Sequence, residues 1–258
     1  MNTSAADLRV LVTAGAAGIG LSIANTFADA GARVFVCDID HNALSSLNTA
    51  RSSIGSSRAD VSNPAEVAAM FGEAVSFLGG LNVLVNNAGI SGPTAKVEDI
   101  SIEDWDKTIA IDLNGMFYCT RLAVPLLKSA GGGSIINLSS IAGRLGYPLR
   151  TPYSAAKWGV VGFTKSLAIE LGPFNVRVNA IQPGVVEGER VNRVIDARAS
   201  ARGVDFEEAL KQFVAPISLR RMVSAQDIAN MAFFLASPAG ASISGQALSV
   251  CGDHGYLA

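Results

Sequence analysis

The sequence predicts an α/β fold: one parallel sheet, wound in both directions from its middle, with helices on both faces. Three observations carry that prediction. Short β-branched runs alternate with longer stretches of helical periodicity along the 258 residues. The short runs are apolar throughout rather than at every second residue, the pattern of strands buried on both sides. A glycine-rich turn joins the first run to the first helical stretch, where a parallel unit needs a tight connection.

Taken in order, Arg9-Val-Leu-Val-Thr13 reads as the first strand and Gly18 to Asp29 as the helix after it. Arg33–Cys37 is the second strand, and Ser57–Val61 a short third. Ala65–Leu78 has helical periodicity and leads to the strand Asn82–Asn86. One long helix is expected from about Ile102 to Ser129, followed by the strand Ser134–Leu138. Thr151 is expected to N-cap the next helix, with Pro152 in its first turn and Gly172-Pro173 as its stop. The strand Asn175–Ile181, a helix near Ala225–Leu235 and a strand near Leu248–Val250 complete a seven-stranded series. Right-handed crossovers would wind that series doubly. With no internal repeat and no low-complexity linker, residues 1–258 read as a single domain. One segment departs in composition: thirteen of the thirty-five residues from Glu187 to Arg221 are charged, which predicts a solvated helical excursion. Its place after a strand's carboxyl end suits it to cover a site.

Composition narrows the function classes. Hydrophobic residues make up 49% of the chain and charged residues only 16%, so much surface is expected to be hidden in a wide sheet or between subunits. A net charge of −2 gives no footprint for nucleic acid or an anionic membrane. No apolar run approaches membrane-spanning length, and the N-terminus lacks the basic and apolar regions of a signal peptide. Cys37, Cys119 and Cys251 are odd in number and far apart, which predicts buried free thiols in a reducing compartment and a cytoplasmic protein. His41 and His254 are the only histidines, lie outside every motif and are expected at the surface, so no metal site is predicted.

The turn Thr13-Ala-Gly15-Ala-Ala-Gly18-Ile-Gly20 stands between the first strand and its helix. Gly15 is read as the residue that permits the tight turn, Gly18 as the point where backbone approaches a pyrophosphate, and Gly20 as the close helix–strand contact. The helix N-terminus then offers unpaired N–H groups to the phosphates of a dinucleotide. Asp38, at the end of the second strand and eighteen residues after Gly20, is placed to accept from the adenosine ribose hydroxyls. Its charge would repel a 2′-phosphate, and the neighbouring Ala16, Ala17 and Ile39 supply no basic residue to attract one. NAD is therefore expected over NADP.

Tyr153 and Lys157 are separated by three residues on one predicted helix, so phenol and ammonium share a face. Ser140 precedes the tyrosine by thirteen positions. Tyrosine ordinarily releases its proton near pH 10, too high for an efficient base at neutrality. An ammonium about 5 Å away, at an effective dielectric of about 20, favours phenolate by roughly 3 kcal/mol. A hydroxyl to hold a carbonyl oxygen, a phenol to pass a proton and an ammonium to acidify it make a proton-transfer site. The residues placed to surround a substrate are Ala142, Arg144, Tyr147, Leu149, Arg150 and the 187–221 excursion. Either arginine could meet an anionic group or brace backbone.

Together these motifs, with Asp60-Val61, Asn86-Asn87-Ala88-Gly89, Asn114, Ser139-Ser140 and Pro183-Gly184, resemble the short-chain dehydrogenase/reductase family over nearly the full length. The resemblance implies a Rossmann-like sheet of seven parallel strands with one active site per subunit. It implies a catalytic set of Asn114, Ser140, Tyr153 and Lys157, in which Lys157 also binds the nicotinamide ribose and Asn114 holds a proton-relaying water. The cofactor-facing set it implies is Gly15, Ala17, Gly18, Ile19, Gly20, Asp38, Ile39, Asp60, Val61, Asn87, Ala88, Gly89, Tyr153, Lys157, Pro183, Gly184 and Val186. Asp60 and Val61 would lie near the adenine, Asn87 to Gly89 along the adenosine ribose, and the Pro183-Gly184 turn under the nicotinamide. For the substrate it implies Ser140, Ala142, Tyr147, Arg150 and Tyr153. Homotetramers or homodimers built on the two long helices are implied too, with Phe117, Trp158 and Phe163 as contact residues. Departures from the pattern are Ala14 for the first glycine, Gly188 for a threonine that helps hold the nicotinamide amide, and Val250-Cys251-Gly252-Asp253 at the end. The activity expected is NAD-dependent interconversion of a secondary alcohol and a ketone. An NADPH-dependent 3-oxoacyl thioester reductase, a sugar-nucleotide epimerase and a catalytically silent nucleotide sensor are the alternatives; Asp38 and Ala17 weigh against the first.

Overall fold

The computed structural model describes residues 7–255. The first six residues, read above for a targeting signal, and the last three lie outside the described residues. Seven strands form one sheet: β1 (Arg9–Thr13), β2 (Arg33–Asp38), β3 (Gly55–Arg58), β4 (Val83–Asn86), β5 (Gly133–Leu138), β6 (Val176–Pro183) and β7 (Ala247–Val250). Their order is β3-β2-β1-β4-β5-β6-β7, every pair parallel, so the direction of winding reverses between β1 and β4. Ligands of such sheets bind at that reversal, beyond the carboxyl ends of the strands.

The continuous apolar runs do what their pattern predicts. Val10, Val12, Val34 and Val36 point to one face, where they meet α1 (Gly18–Asp29) and α9 (Ala225–Ala236) through Ile23, Phe27, Ile228 and Leu235. Leu11, Phe35, Leu84 and Ile135 point to the other, against α3 (Pro64–Leu78) and α5 (Gly115–Ser129) through Met70, Phe71, Cys119 and Leu127. Alternate residues of one strand thus enter opposite cores, which is why no polar period appears in the sequence. Cys37, Cys119 and Cys251 are free and buried, as expected, and burial pushes the Cys37 thiol up to about 12.

Several expectations are corrected. The third strand is Gly55–Arg58, so Ala59, Asp60 and Val61 lie in the loop beyond it; Gly55 and Ser56, weak strand formers, pair because Phe35 and Val36 of β2 offer the edge. A helix α2 (His41–Ala50) was not anticipated; Asp40 caps it by accepting from Asn42 N and Ala43 N. Thr151 is the first residue of α6 (Thr151–Leu171) rather than its cap; Arg150 holds the cap position without a side-chain bond, and Pro152 supplies the fixed start. The long helix is α4 (Ile102–Ile109) and α5, joined through a π-helical turn at Ala110–Asn114. The charged excursion is a helical pair, α7 (Glu189–Arg202) and α8 (Phe206–Val214), closed on its own small core of Ile195, Ala199 and Ala209.

Between β4 and β5 runs a buried polar chain. Asn86 Nδ2 donates to Thr120 Oγ1 at 3.0 Å and to Asn137 Oδ1 at 2.9 Å, and Asn137 Nδ2 donates to Thr164 Oγ1 at 2.9 Å. These four side chains tie the sheet to α5 and α6 directly beneath the strand ends. Buried amides require such partners, so the chain fixes how α6 sits on the sheet.

Candidate active site at the carboxyl ends of the strands

The glycine turn holds its shape through contacts that redistribute the roles read from sequence. Ala14 and Gly18 carry the positive φ angles, +48° and +53°, so the tight turn belongs to Ala14, not Gly15. A Cβ on Gly15 would stand 2.6 Å from Val36 Cβ; this is the close strand contact. One on Gly20 would stand 2.1 Å from the Ala14 carbonyl oxygen and 2.6 Å from Asn87 Nδ2, so Gly20 lets the helix close on its own loop. Above Gly18 there is open space, with nothing within 4 Å of a Cβ. No acidic residue stands in the first turn of α1 and no side chain caps it. An open cradle over a bare helix N-terminus fits a pyrophosphate.

Two side chains brace this loop. Asp38 accepts from Ala16 N through Oδ2 and from Asp40 N through Oδ1, both at 3.1 Å, which fixes its carboxylate at the rim of the turn. Asn87 Nδ2 donates to the carbonyls of Thr13 at 3.0 Å and Ala14 at 2.9 Å. Thr13 Oγ1 accepts from the N–H groups of Asn87 and Ala88, both at 3.0 Å. Thr13 thus locks the β1 and β4 loops together, a role hidden because its hydroxyl reads simply as a strand end. Asp60 caps its own turn through Ser62, Val61 is buried against Gly115, and Ile39 is exposed beside Asp38. Gly184 N donates to the Val250 carbonyl at 2.9 Å, and Val186 pairs with Val223, so the segment after Pro183 is held to the neighbouring strand and loop.

On α6, Tyr153 is half-buried and Lys157 is 4% exposed, with Nζ 5.5 Å from the Tyr153 ring centroid. The shared face expected from their spacing is present. Ser139 is buried and donates to the Lys157 carbonyl at 2.8 Å; Ser140 is half-exposed, and its Oγ accepts from Ala142 N at 3.1 Å. The geometry therefore leaves Ser140, not Ser139, facing the opening. The Arg150 guanidinium carbon lies 5.5 Å from the ring centroid of Tyr147 and 6.0 Å from that of Tyr153, with one Nη donating to Thr94 Oγ1.

Three placements, those of Asn114, Ala142 and His254, differ from expectation. Asn114 is exposed, and the polar side chain that this π turn presents to Lys157 is Asp112, two positions earlier. Two residues apart on a helix point to nearly opposite sides. Thr108, Asp112, Gly115, Met116 and Cys119 are all buried at helical spacing, a periodicity that marks Asp112 as inward-facing. Ala142 is fully buried, so its methyl lines no opening. Of the two roles left open for Arg144, the structure shows bracing: it reaches the His254 carbonyl at 3.3 Å. His254 is 6% exposed rather than at the surface, because the end of the chain folds back to bridge Ile217; burial lowers its proton affinity. Among the described residues no group of histidine, cysteine and carboxylate side chains could hold a metal ion.

Residues 14–256 match the family model described as Enoyl-(Acyl carrier protein) reductase. A probable galactose dehydrogenase of Rhizobium meliloti is 38% identical over 251 residues, 95% of this chain and 94% of that protein. A trans-4-hydroxycyclohexanecarboxylate dehydrogenase of Sinomonas cyclohexanicum is 38% identical over 259 residues, 96% and 93% of the two chains. Among solved structures, a variant of actinorhodin polyketide ketoreductase with NADPH superposes with a TM-score of 0.89 at 35% identity, covering 96% of this chain and 98% of that one. Sheet order, glycine turn, the Tyr153/Lys157 face and these full-length matches lead to one conclusion: the chain belongs to the short-chain dehydrogenase/reductase family of oxidoreductases.

Proposed function

We propose that the protein is an NAD-dependent oxidoreductase that interconverts a secondary alcohol and a ketone, with Tyr153 as general acid/base. The observation that carries this reading is the ammonium of Lys157, buried 5.5 Å from the Tyr153 ring on a helix anchored to the sheet. In oxidation the Tyr153 phenolate takes the proton of the substrate hydroxyl as the carbon–oxygen double bond forms. A nicotinamide cofactor held by the glycine turn would supply the acceptor for the hydride that leaves the same carbon. Ser140 Oγ holds the reacting oxygen, and in the reverse direction Tyr153 returns the proton to it.

The open cradle over Gly18, the free N-terminus of α1 with Ala17 and Ile19, and the rim carboxylate of Asp38 fit a dinucleotide. In this reading Gly15, Gly20 and Asn87 shape the cradle. Ile39, Asp60 and Val61 border the adenine side, and Ala88 and Gly89 the ribose. Pro183, Gly184 and Val186 would support a nicotinamide, and Lys157 would meet its ribose. Asp38 selects NAD. The polyketide ketoreductase with NADPH supports a second reading, NADPH-dependent ketone reduction; the carboxylate at the 2′ rim argues against it. Tyr147 and Arg150 border the substrate, with the α7–α8 pair as its cover. Phe117 and Trp158 are 48% and 51% exposed on α5 and α6, an apolar surface that suits a homodimer or homotetramer. Among the described residues no helix is long and apolar enough to cross a membrane, and three free thiols suit the cytoplasm.

Initial rates with NAD and NADP over a panel of secondary alcohols at alkaline pH, and with the matching ketones near neutrality, test the reading. Turnover of one chemical class with NAD supports it. A preference for NADP would favour the second reading, and binding of NAD without turnover across the panel would favour a sensor.

A further inference from the structure

The buried carboxylate beside Lys157 has no part in the mechanism above. Asp112 is 0% exposed, and its Oδ2 stands 3.3 Å from Lys157 Nζ. Its other oxygen accepts from Ile90 N at 2.7 Å, which ties it to the loop after β4. Lys157 Nζ in turn donates to the Leu138 carbonyl at 3.2 Å, at the end of β5. A Cβ on Gly89 would stand 3.1 Å from Nζ and 3.3 Å from Asp112 Oδ1, so the pair is packed closely against the Gly89 backbone. The π turn that carries Asp112 is an uncommon device, recurrent at functional sites, and here it sets an inward carboxylate between two regular helices.

We propose that Asp112 is the positioning residue of the proton-transfer site: its carboxylate fixes the Lys157 ammonium and offsets part of the positive charge that acts on Tyr153. This rests on the reading of Tyr153 as general acid/base. The groups that face the phenol or the ammonium are few. Lys157 and Arg150 approach the Tyr153 ring at 5.5 and 6.0 Å, and Asp112 is the acidic group in contact with Lys157. Ile90 N–H and the Leu138 carbonyl are the neutral partners from the β4 and β5 loops. Two cations thus act on one phenol, and one buried carboxylate opposes the nearer of them. Burial is the larger influence and raises the Asp112 carboxyl above its ordinary value, while the Lys157 ammonium and the Ile90 N–H work against that rise. A carboxylate at this place makes phenolate harder to form, so alcohol oxidation starts at higher pH than the lysine alone would set.

The experiment is the pH profile of kcat/KM for alcohol oxidation in the wild type, Asp112→Asn, Asp112→Leu and Tyr153→Phe, with melting temperature and NAD affinity measured for each. Asn keeps the shape and an acceptor for Ile90 N–H but not the charge. Its acidic limb should move down by about one pH unit, the scale of one unit charge acting across a partly screened site. Asp112→Leu, which can hold neither Ile90 N–H nor Lys157, should lose at least about tenfold in kcat with KM for the alcohol little changed. An Asn profile superimposable on the wild type, or moved upward, overturns the proposal, as does a Leu variant of full activity. If Asp112→Leu fails to fold, the Asn profile alone decides. A Tyr153→Phe variant as active as the wild type would instead mean that the general acid/base reading has failed.

Discussion

Asp38 carries the cofactor preference in this account, and its replacement has a size that follows from the structure. Two backbone donors, Ala16 N and Asp40 N, hold its carboxylate at the rim of the glycine turn. Hydrogen bonds from ribose hydroxyls to a carboxylate contribute about 1.5–3 kcal/mol, or roughly one to two decades of affinity. A negative charge about 5 Å from the carboxylate, at an effective dielectric of about 20, costs roughly 3 kcal/mol, or about two decades against a 2′-phosphate. Asp38→Ala should therefore weaken NAD about 10- to 100-fold, strengthen NADP by up to about 100-fold and narrow the gap by at least about tenfold and up to about ten-thousandfold. Asp38→Asn removes the charge and keeps one acceptor oxygen, enough for Ala16 N or Asp40 N but not both, so it should relieve the repulsion while giving up one of the two bonds that brace the turn. Calorimetric affinities for NAD, NADP and their reduced forms in the three proteins measure the effect. An unchanged NAD/NADP ratio in both variants, or a wild type that binds NADP more tightly, would refute the reasoning.

Three further outcomes follow from other parts of the molecule. Asn137→Ala breaks the chain from Asn86 to Thr164, leaving Asn86 with Thr120 alone and taking from Thr164 the donor it accepts from; unfolding by denaturant should show a loss of about 2–4 kcal/mol, and a loss under about 1 kcal/mol would mean the chain is not fixing α6. His254 holds its proton less tightly in the folded chain because burial disfavours the charged ring, so the unfolded state binds the extra proton. Its contribution is present above about pH 6.5, the ordinary value for histidine, and fades as pH falls through it. Unfolding midpoints should therefore fall more between pH 8 and 5.5 in the wild type than in His254→Leu; equal slopes would contradict this. Trp158→Glu places a charge on the exposed apolar face of α6 and should lower the sedimenting mass, whereas an unchanged mass would remove that face from the assembly.

How far the sequence could be read follows from what kind of signal each element carries. The apolar strands and the glycine turn announce themselves because burial on two faces and close backbone approach leave residue types little choice. Helix α2 was overlooked because it is half polar and is started by Asp40, a side chain as common in turns as in caps. The exchange of roles between Ala14, Gly15 and Gly20 was invisible: a glycine shows that a Cβ is absent, not which neighbour would meet it. Ser140, Tyr153 and Lys157 were legible because their spacing is tied to one helix and the strand before it. Asn114 and Asp112 show the opposite case. Both are polar, both sit in the same stretch, and a π turn resets the phase between α4 and α5, so family order favoured the exposed residue. The inward set Thr108, Asp112, Gly115 and Cys119 held the information, but only as a periodicity running through an irregular turn.

The most direct test of the central claim compares the wild type and Tyr153→Phe on any alcohol the enzyme oxidises, with NAD affinity measured alongside. Loss of the phenol should lower kcat by about 10²- to 10⁴-fold while NAD binds within a few-fold of its wild-type affinity. Turnover within tenfold of the wild type would contradict the assignment of proton transfer to Tyr153, and with it the account of the site.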